Sequence, residues 1–297
     1  MSFAGSLDRL VLPFRRRFAR LTCPRPADLG TIGFQQRIWD RIVRWETPGG
    51  AHWTAGISPK IKGIEFVRSL GHAVPETYGI FPCLAEVPLD QLPPDVVLKP
   101  QHGYSAKGVF LLRNGVDQIT GHAASRDWLL AEAGKSAALS YMAEELLVNF
   151  DGRGGAPLDY KFSCFGPRVV YCTVIERNTI KGSGDLNRYW YMTPDWKPVP
   201  MRLRWDIRPE RGIAPAPPFL DKMFAMASDI GRHLDVFMRI DLYATTRGPV
   251  FGEFTPFPAR GREVTPLANL WLGAMWEGLE GCGDSERGGM AFTAAAE

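Results

Sequence analysis

Two short strings, Arg239-Ile240-Asp241 and Glu253-Phe254-Thr255, alternate polar and apolar side chains. Successive side chains of a β-strand point to opposite faces, so Arg239 shares a face with Asp241, and Glu253 with Thr255. The strand-like runs 236–243 and 250–255 flank the turn signal Arg247-Gly248-Pro249 and read as a hairpin. Antiparallel pairing can then bring Asp241 opposite Glu253. Two ionised carboxylates that close repel each other unless a cation lies between them. Mg²⁺ answers that need, because it takes hard oxygen ligands and typically uses one or two carboxylates together with substrate phosphates.

Cations stand on the neighbouring strand-like runs. Lys99 ends Val96-Val-Leu-Lys-Pro100, Lys161 lies between Tyr160 and Phe162 with Asp159 on its face, and Arg177 follows the partner run 168–175. Lysine as a point charge and arginine as a fork both stabilise phosphate oxygens, so such a sheet face opposite two carboxylates reads as a phosphate and metal cradle. The loop His102-Gly-Tyr-Ser-Ala-Lys-Gly108 has neither the spacing nor the following helix of a P-loop. It is either a cover that offers backbone N–H groups to phosphates or a plain hairpin turn. Glu144-Glu145-Leu146-Leu147 is either a nucleotide-binding hinge or a helix-to-strand junction. No Ser/His/Asp or Cys/His arrangement stands out, and His102, beside Gly103, reads as loop structure rather than as a general base.

The elements that must position these residues follow from pattern. Helical spacing runs through 31–46, up to the Thr47-Pro48-Gly49-Gly50 breaker, and through a short helix from Ser58-Pro59-Lys60 that Gly71 closes and Lys62 lies on. Strand-like runs cover 77–81, 96–100 and 109–112, a helical Ala-rich stretch covers 123–139, and a further sheet segment runs from Met142 to Val148. A second hairpin, 159–165 and 168–175, turns at Gly166-Pro167. Residues 178–218 carry many Gly, Pro, Trp and Arg and no clear period, which predicts a long functional loop before an amphipathic helix over 219–234.

With 297 residues, 45% of them hydrophobic, the chain has room for one large or two small domains. Thirty-five basic against 32 acidic side chains give a net charge of +3, far from the dense positive field of a nucleic-acid binder. Five scattered cysteines without zinc-like spacing read as free thiols in a reducing cytoplasm. No apolar run approaches the roughly 18 residues of a membrane span, and the basic, Pro13-interrupted segment 7–20 reads as a packing helix with solvated arginines rather than a lipid contact. Residues 283–297 are Gly/Ala-rich and polar, which predicts a disordered tail.

Taken in order, the lysine-bearing helix, Val-Leu-Lys-Pro, the glycine loop, Glu-Glu-Leu-Leu, Asp-Tyr-Lys-Phe, Met-Arg-Ile-Asp-Leu-Tyr and Gly-Glu-Phe-Thr resemble the ATP-grasp superfamily. Within it the strings are similar to the TupA-like branch, associated with teichuronopeptide and other surface-polymer synthesis. The resemblance runs from about Lys60 to about Gly273. It implies an α+β fold, two subdomains whose antiparallel sheets grip ATP, here over 58–148 and 149–282, behind a helical extension over 1–57. It further implies that Lys62 and Lys99 contact ATP phosphates or base, that Gly103, Ser105 and Lys107 belong to a phosphate cover, and that Glu144, Glu145 and Leu147 hold adenine. Asp159 would approach the ribose, Lys161 and Arg177 the phosphates, Arg239 the reacting acyl phosphate, and Asp241, Glu253 and Thr255 the Mg²⁺ ions.

The activity implied is a cytoplasmic ATP-dependent ligase that joins a small-molecule or polymer-linked carboxylate to an amine through an acyl phosphate. Alternatives are a kinase of the same fold and a nucleotide-binding partner of a glycosyltransferase. The Arg- and aromatic-rich segment 178–218 is either an acceptor platform for an acidic glycan or peptide or an irregular cover over the core.

Overall fold

The computed structural model describes residues 32–101, 108–177, 187–276 and 279. Helix α1 (Phe34–Glu46) and helix α2 (Lys60–Ser69) come first, and Gly71, at φ +82°, follows the end of α2. Strands β1 (Thr77–Phe81), β2 (Asp95–Pro100), β3 (Phe110–Arg113) and β4 (Val116–Asp117) lead to helix α3 (Arg126–Ala133), whose N-cap Ser125 accepts from the Trp128 N–H. Strand β5 (Tyr141–Glu145) completes a five-stranded antiparallel sheet in the order β1-β5-β2-β3-β4. Its core face packs Val96, Leu98, Phe110, Leu112, Tyr141 and Ala143 against Leu129 and Ala133 of α3.

The second sheet begins with β6 (Asp159–Phe165), β7 (Arg168–Glu176) and β8 (Arg188–Met192). Helix α4 (Leu220–Leu234) follows, with Asp221 in its first turn and Arg232 and His233 in its last, each suited to the helix dipole. Strands β9 (Phe237–Thr245) and β10 (Gly248–Thr255) then close an antiparallel sheet in the order β10-β9-β6-β7-β8. Met223, Met226, Ala227, Ile230 and Leu234 of α4 cover Tyr160, Phe162, Cys164, Cys172, Val174, Ile240 and Leu242. Each large apolar side chain buried there contributes about 1.5–3 kcal/mol. Ile64, Phe66 and Val67 of α2 join the same core. Helix α5 (Pro266–Met275) packs beside α1, whose Phe34, Ile38 and Ile42 meet Phe165, Phe237, Leu272 and Trp276.

The architecture is the α+β arrangement of two antiparallel sheets expected from sequence, with three differences in detail. Residues 187–218 are not wholly irregular, because Tyr189, Trp190 and Tyr191 are good strand formers and build the edge strand β8 on β7. The Ala-rich stretch is helical only to Ala133, where Gly134, at φ +53°, turns the chain into a 3₁₀ segment. After Glu145 the chain leaves the first sheet, and the Phe150 N–H bonds the Ala244 carbonyl while the Thr246 N–H bonds that of Val148. The connection is thereby stitched to the end of β9.

Candidate active site

The inner face of the second sheet is built by alternation. On β6, Tyr160, Phe162 and Cys164 enter the core, so Asp159, Lys161 and Ser163 point the other way. On β9, Ile240, Leu242 and Ala244 are core residues and Arg239, Asp241 and Tyr243 face outward with them. The register sets Asp159 opposite Tyr243, Lys161 opposite Asp241, and Ser163 opposite Arg239. On the other side of β9, Glu253 pairs with Asp241 and Thr255 with Arg239. Between Phe251, paired with Leu242, and Glu253 the strand carries one extra residue, Gly252. A Cβ on Gly252 would come within 2.9 Å of Tyr243 Cε2 and 3.1 Å of the Asp241 carbonyl oxygen, so glycine there lets the Tyr243 ring lie close against β10.

Asp241 is the electrostatic centre of this face. Arg239 donates Nε–H to Oδ1 and an Nη2–H to Oδ2, both at 2.7 Å, and the Lys161 ammonium donates to Oδ2. Burial works against the Asp241 charge, but Arg239 and Lys161 outweigh it and hold the carboxyl below the usual carboxylate range. Arg239 Nη2 also donates to Thr255 Oγ1 at 2.8 Å. Lys161 has Asp159 as a second anion at 3.6 Å, and Arg177, beyond the end of β7, pairs with Asp159 at 2.6 Å. Burial pushes the Tyr243 phenol well above its ordinary value, and Asp159, Glu253 and Glu144 act in the same direction.

The first sheet contributes Lys99 and Glu144, whose Nζ and Oε1 lie 2.5 Å apart. Glu144 Oε2 is buried without a hydrogen-bond partner, a polar atom that a bound ligand can satisfy. Val97, Leu111 and Leu146 form a small apolar cluster on the face that carries Glu144, and Leu147 is buried in the connection after β5. Lys60, at the start of α2, reaches the Gln101 carbonyl at 3.4 Å. Burial lowers its ammonium below the ordinary lysine value, with Glu253 opposing that shift, Lys99 adding to it and Glu144 again opposing it. Lys60 therefore stands among groups from both sheets.

Two residues expected at the site are not placed with the others. Lys62 is 56% exposed and pairs with Glu65 at 2.8 Å, because it sits two residues round the helix from the buried side of α2. Lys60, one helical turn before the buried Ile64, is on that side. Glu145 follows Glu144 on a strand and so points to the opposite face, where Arg247 Nε and Nη2 bind its two oxygens at 3.2 and 2.7 Å. It ties the first sheet to the β9–β10 turn, and this pair lines a shallow cleft with Arg68, Val74 and Glu76 away from Asp241. Gly103, Ser105 and Lys107 lie outside the described residues, as do the segment 7–20, residues 178–186 and the tail 283–297.

Sequence reasoning passed over Lys60 and Tyr243. Periodicity held both signals, since Lys60 precedes Ile64 by four residues and Tyr243 continues the Arg239, Asp241 alternation. Three of the five described arginines of 187–218 are engaged within the fold, while Arg208 and Arg211 are exposed. Arg188 pairs with Glu176 at 2.9 Å and stacks over Trp190, Arg202 donates to the carbonyls of Arg204 and Trp205, and Arg204 forks onto Asp206 and reaches Glu263.

No group of three or more His, Cys, Asp or Glu converges as a metal site among the described residues. The oxygen donors Asp241 and Glu253 fit a divalent cation that completes its shell with phosphates. No helix of the described residues is long and apolar enough to cross a membrane.

Comparison with curated proteins gives no match. Among solved structures, the chain is similar to the ATP-grasp ligase PsnB complexed with a minimal precursor, at 14% identity, covering 78% of this chain and 66% of that one, with a TM-score of 0.42. It is also similar to D-alanine–D-alanine ligase from Helicobacter pylori (12% identity, 73% of this chain, 60% of that one, TM-score 0.42). A third is the macrocyclase MdnC from Microcystis aeruginosa bound with its precursor peptide (11%, 73%, 61%, TM-score 0.38). The chain thus spans about two thirds or less of these proteins' length. The TupA-like ATP-grasp family model matches residues 65–276, a span that holds both sheets and all the paired charges of the site, and the chain belongs to that family.

Proposed function

We propose that the chain is an ATP-dependent carboxylate–amine ligase that works through an acyl phosphate. The observation that carries this reading is the Lys161–Asp241–Arg239 group on one face of the second sheet, with Glu253 paired to Asp241. It combines a metal-type carboxylate pair with two cations suited to a transferring phosphoryl group. Asp241 and Glu253 would hold Mg²⁺, which when bound offsets charge on the ATP phosphates.

Lys99, Glu144 and Leu147 would bind the base, with Glu144 Oε2 as an open acceptor. Asp159 would take the ribose, and Lys60, Lys161 and Arg177 the phosphates. A substrate carboxylate oxygen attacks the γ-phosphorus, the bond to the β–γ bridging oxygen breaks, and ADP leaves. A neutral amine then attacks the acyl carbon, the C–O bond to phosphate breaks and the amine's proton leaves with the phosphate, with the Arg239 fork holding first the phosphoryl oxygens and then the oxyanion. The pairing of Lys161 and Arg239 with Asp241 balances charge on this face and keeps the two cations in place for this sequence of events.

The test is a screen of candidate acids and amines for ADP release in the presence of hydroxylamine. A hydroxamate supports the acyl phosphate. A stable phosphate ester in its place rejects the ligase in favour of a kinase.

A further inference from the structure

Thr255 stands directly opposite Arg239 across the β9–β10 pair, on the face that carries Asp241. A guanidinium has five N–H donors. In Arg239 the Nε–H goes to Asp241 Oδ1, and Nη2 serves Asp241 Oδ2 and Thr255 Oγ1, at 2.7, 2.7 and 2.8 Å. Nη1 makes no hydrogen bond to any described residue. One edge of the fork is thus fully anchored and the other is left with two donors.

We propose that Thr255 is a positioning residue that fixes the plane of the Arg239 guanidinium, and that it does not ligate the metal. Asp241 alone anchors two points in a line and leaves the fork able to rock about them. Thr255 adds a third anchor on a second strand, which aims Nη1 at whatever group approaches the site. The hydroxyl that accepts from Arg239 is neutral, whereas Asp241 and Glu253 carry the charge a hard divalent cation seeks. The role rests on the nucleotide reading above, so its test separates the two.

Wild type, Thr255→Val and Thr255→Ser are compared with two probes. The first is Mn²⁺ bound with a non-hydrolysable ATP analogue, counted by electron paramagnetic resonance. The second is capture of fluoroaluminate by the MgADP complex, which mimics the transferring phosphoryl group. Thr255→Val is expected to keep the Mn²⁺ count and an affinity within about twofold, yet to weaken fluoroaluminate capture about tenfold, the loss of one hydrogen bond to a charged group. Thr255→Ser restores capture. In an Arg239→Lys background the valine change adds nothing further, since a residue that acts only through Arg239 is non-additive with it.

Loss of a Mn²⁺ ion in Thr255→Val would overturn the proposal and make Thr255 a ligand. Unchanged capture, or equal weakening with and without the native Arg239, would overturn it as well. A wild-type protein that binds neither nucleotide probe rejects the nucleotide reading itself, and the positioning role with it.

Discussion

Replacing Asp241 by asparagine and Lys161 by methionine, singly and together, isolates the energetics of the site's central pair. The two side chains are 4% and 9% exposed, and with Asp159 and Arg239 they form a buried group of two anions and two cations. Asp241→Asn leaves that group at +1, with Lys161 holding only Asp159 at 3.6 Å. Lys161→Met leaves it at −1. Removing one partner of a buried pair costs about 3–5 kcal/mol, because a charge stays buried without its counter-ion.

The double variant returns the group to neutrality, so it should cost less than the two singles added together by about 2 kcal/mol or more. At roughly 2–4 °C per kcal/mol for a domain of this size, Asp241→Asn alone should lower Tm on the order of 10 °C. Urea unfolding followed by tryptophan fluorescence measures this, with Trp190 inside the core behind the sheet as a local reporter. Asp241 has a depressed folded-state pKa, so its contribution is fully present above the unfolded value near 3.8 and is lost as pH falls through the folded value. Wild type and Asp241→Asn should therefore converge in acid. Additivity of the singles within about 0.5 kcal/mol would refute the reasoning, by showing that water screens these charges from one another.

Lys60→Met should weaken ATP binding on the order of tenfold by calorimetry and Lys62→Met less than about twofold, because only Lys60 lies among the site's charges. Because Lys60 has a lowered pKa that phosphate would raise, wild type should take up protons on binding ATP somewhere in a pH series run up to the ordinary lysine value, and Lys60→Met should not; equal uptake by both throughout would reject the assignment. Gly252→Ala should cost about 1–3 kcal/mol in urea unfolding, since the new Cβ overlaps Tyr243 and crowds the Asp241 carbonyl; wild-type stability would show that the ring moves away freely. His52 has a folded pKa of about 4 against 6.5, lowered first by burial and then by Arg41 and Arg44. Its proton therefore favours the unfolded chain, so stability should fall as pH drops below 6.5 and level off near 4, a decline that calorimetry should find reduced in His52→Gln. The same decline in both proteins would clear His52 of the effect.

The strands that carry the charges were legible because their alternation is regular. Tyr160, Phe162, Ile240 and Leu242 mark one side so clearly that Asp159, Lys161, Arg239 and Asp241 can only lie on the other. What local pattern leaves out is which of two neighbours a third element covers. Lys60 and Lys62 look equivalent until Ile64 and Val67 fix the buried side of α2, and Glu144 and Glu145 until Arg247, about a hundred residues later, claims one of them. Strand β8 was hidden by the Pro- and Gly-rich sequence around it, because an edge strand gains its ladder from β7 and not from its own context. Helix α5 had a start signal in Thr265-Pro266, with the threonine side chain accepting from the Ala268 N–H, but its nearly uniform apolar composition shows no amphipathic period.

The extra residue at Gly252 bears on which insertions and deletions this chain can survive. On β6 and β9, side-chain parity is everything, and one added residue would carry Lys161 or Asp241 into the apolar core and a phenylalanine or isoleucine out of it. On β10 the added residue is taken up as a bulge, so that Phe251 still pairs with Leu242 and Glu253 with Asp241. Without Gly252 an unbroken strand would keep those same two pairings. Deleting it should therefore leave Glu253 on the charged face, while deleting any one residue from Tyr160 to Ser163 should scramble that face. Across the three strands that carry the acidic and basic pairs, length variation is thus taken up on the outer strand β10, and β6 and β9 are locked in number.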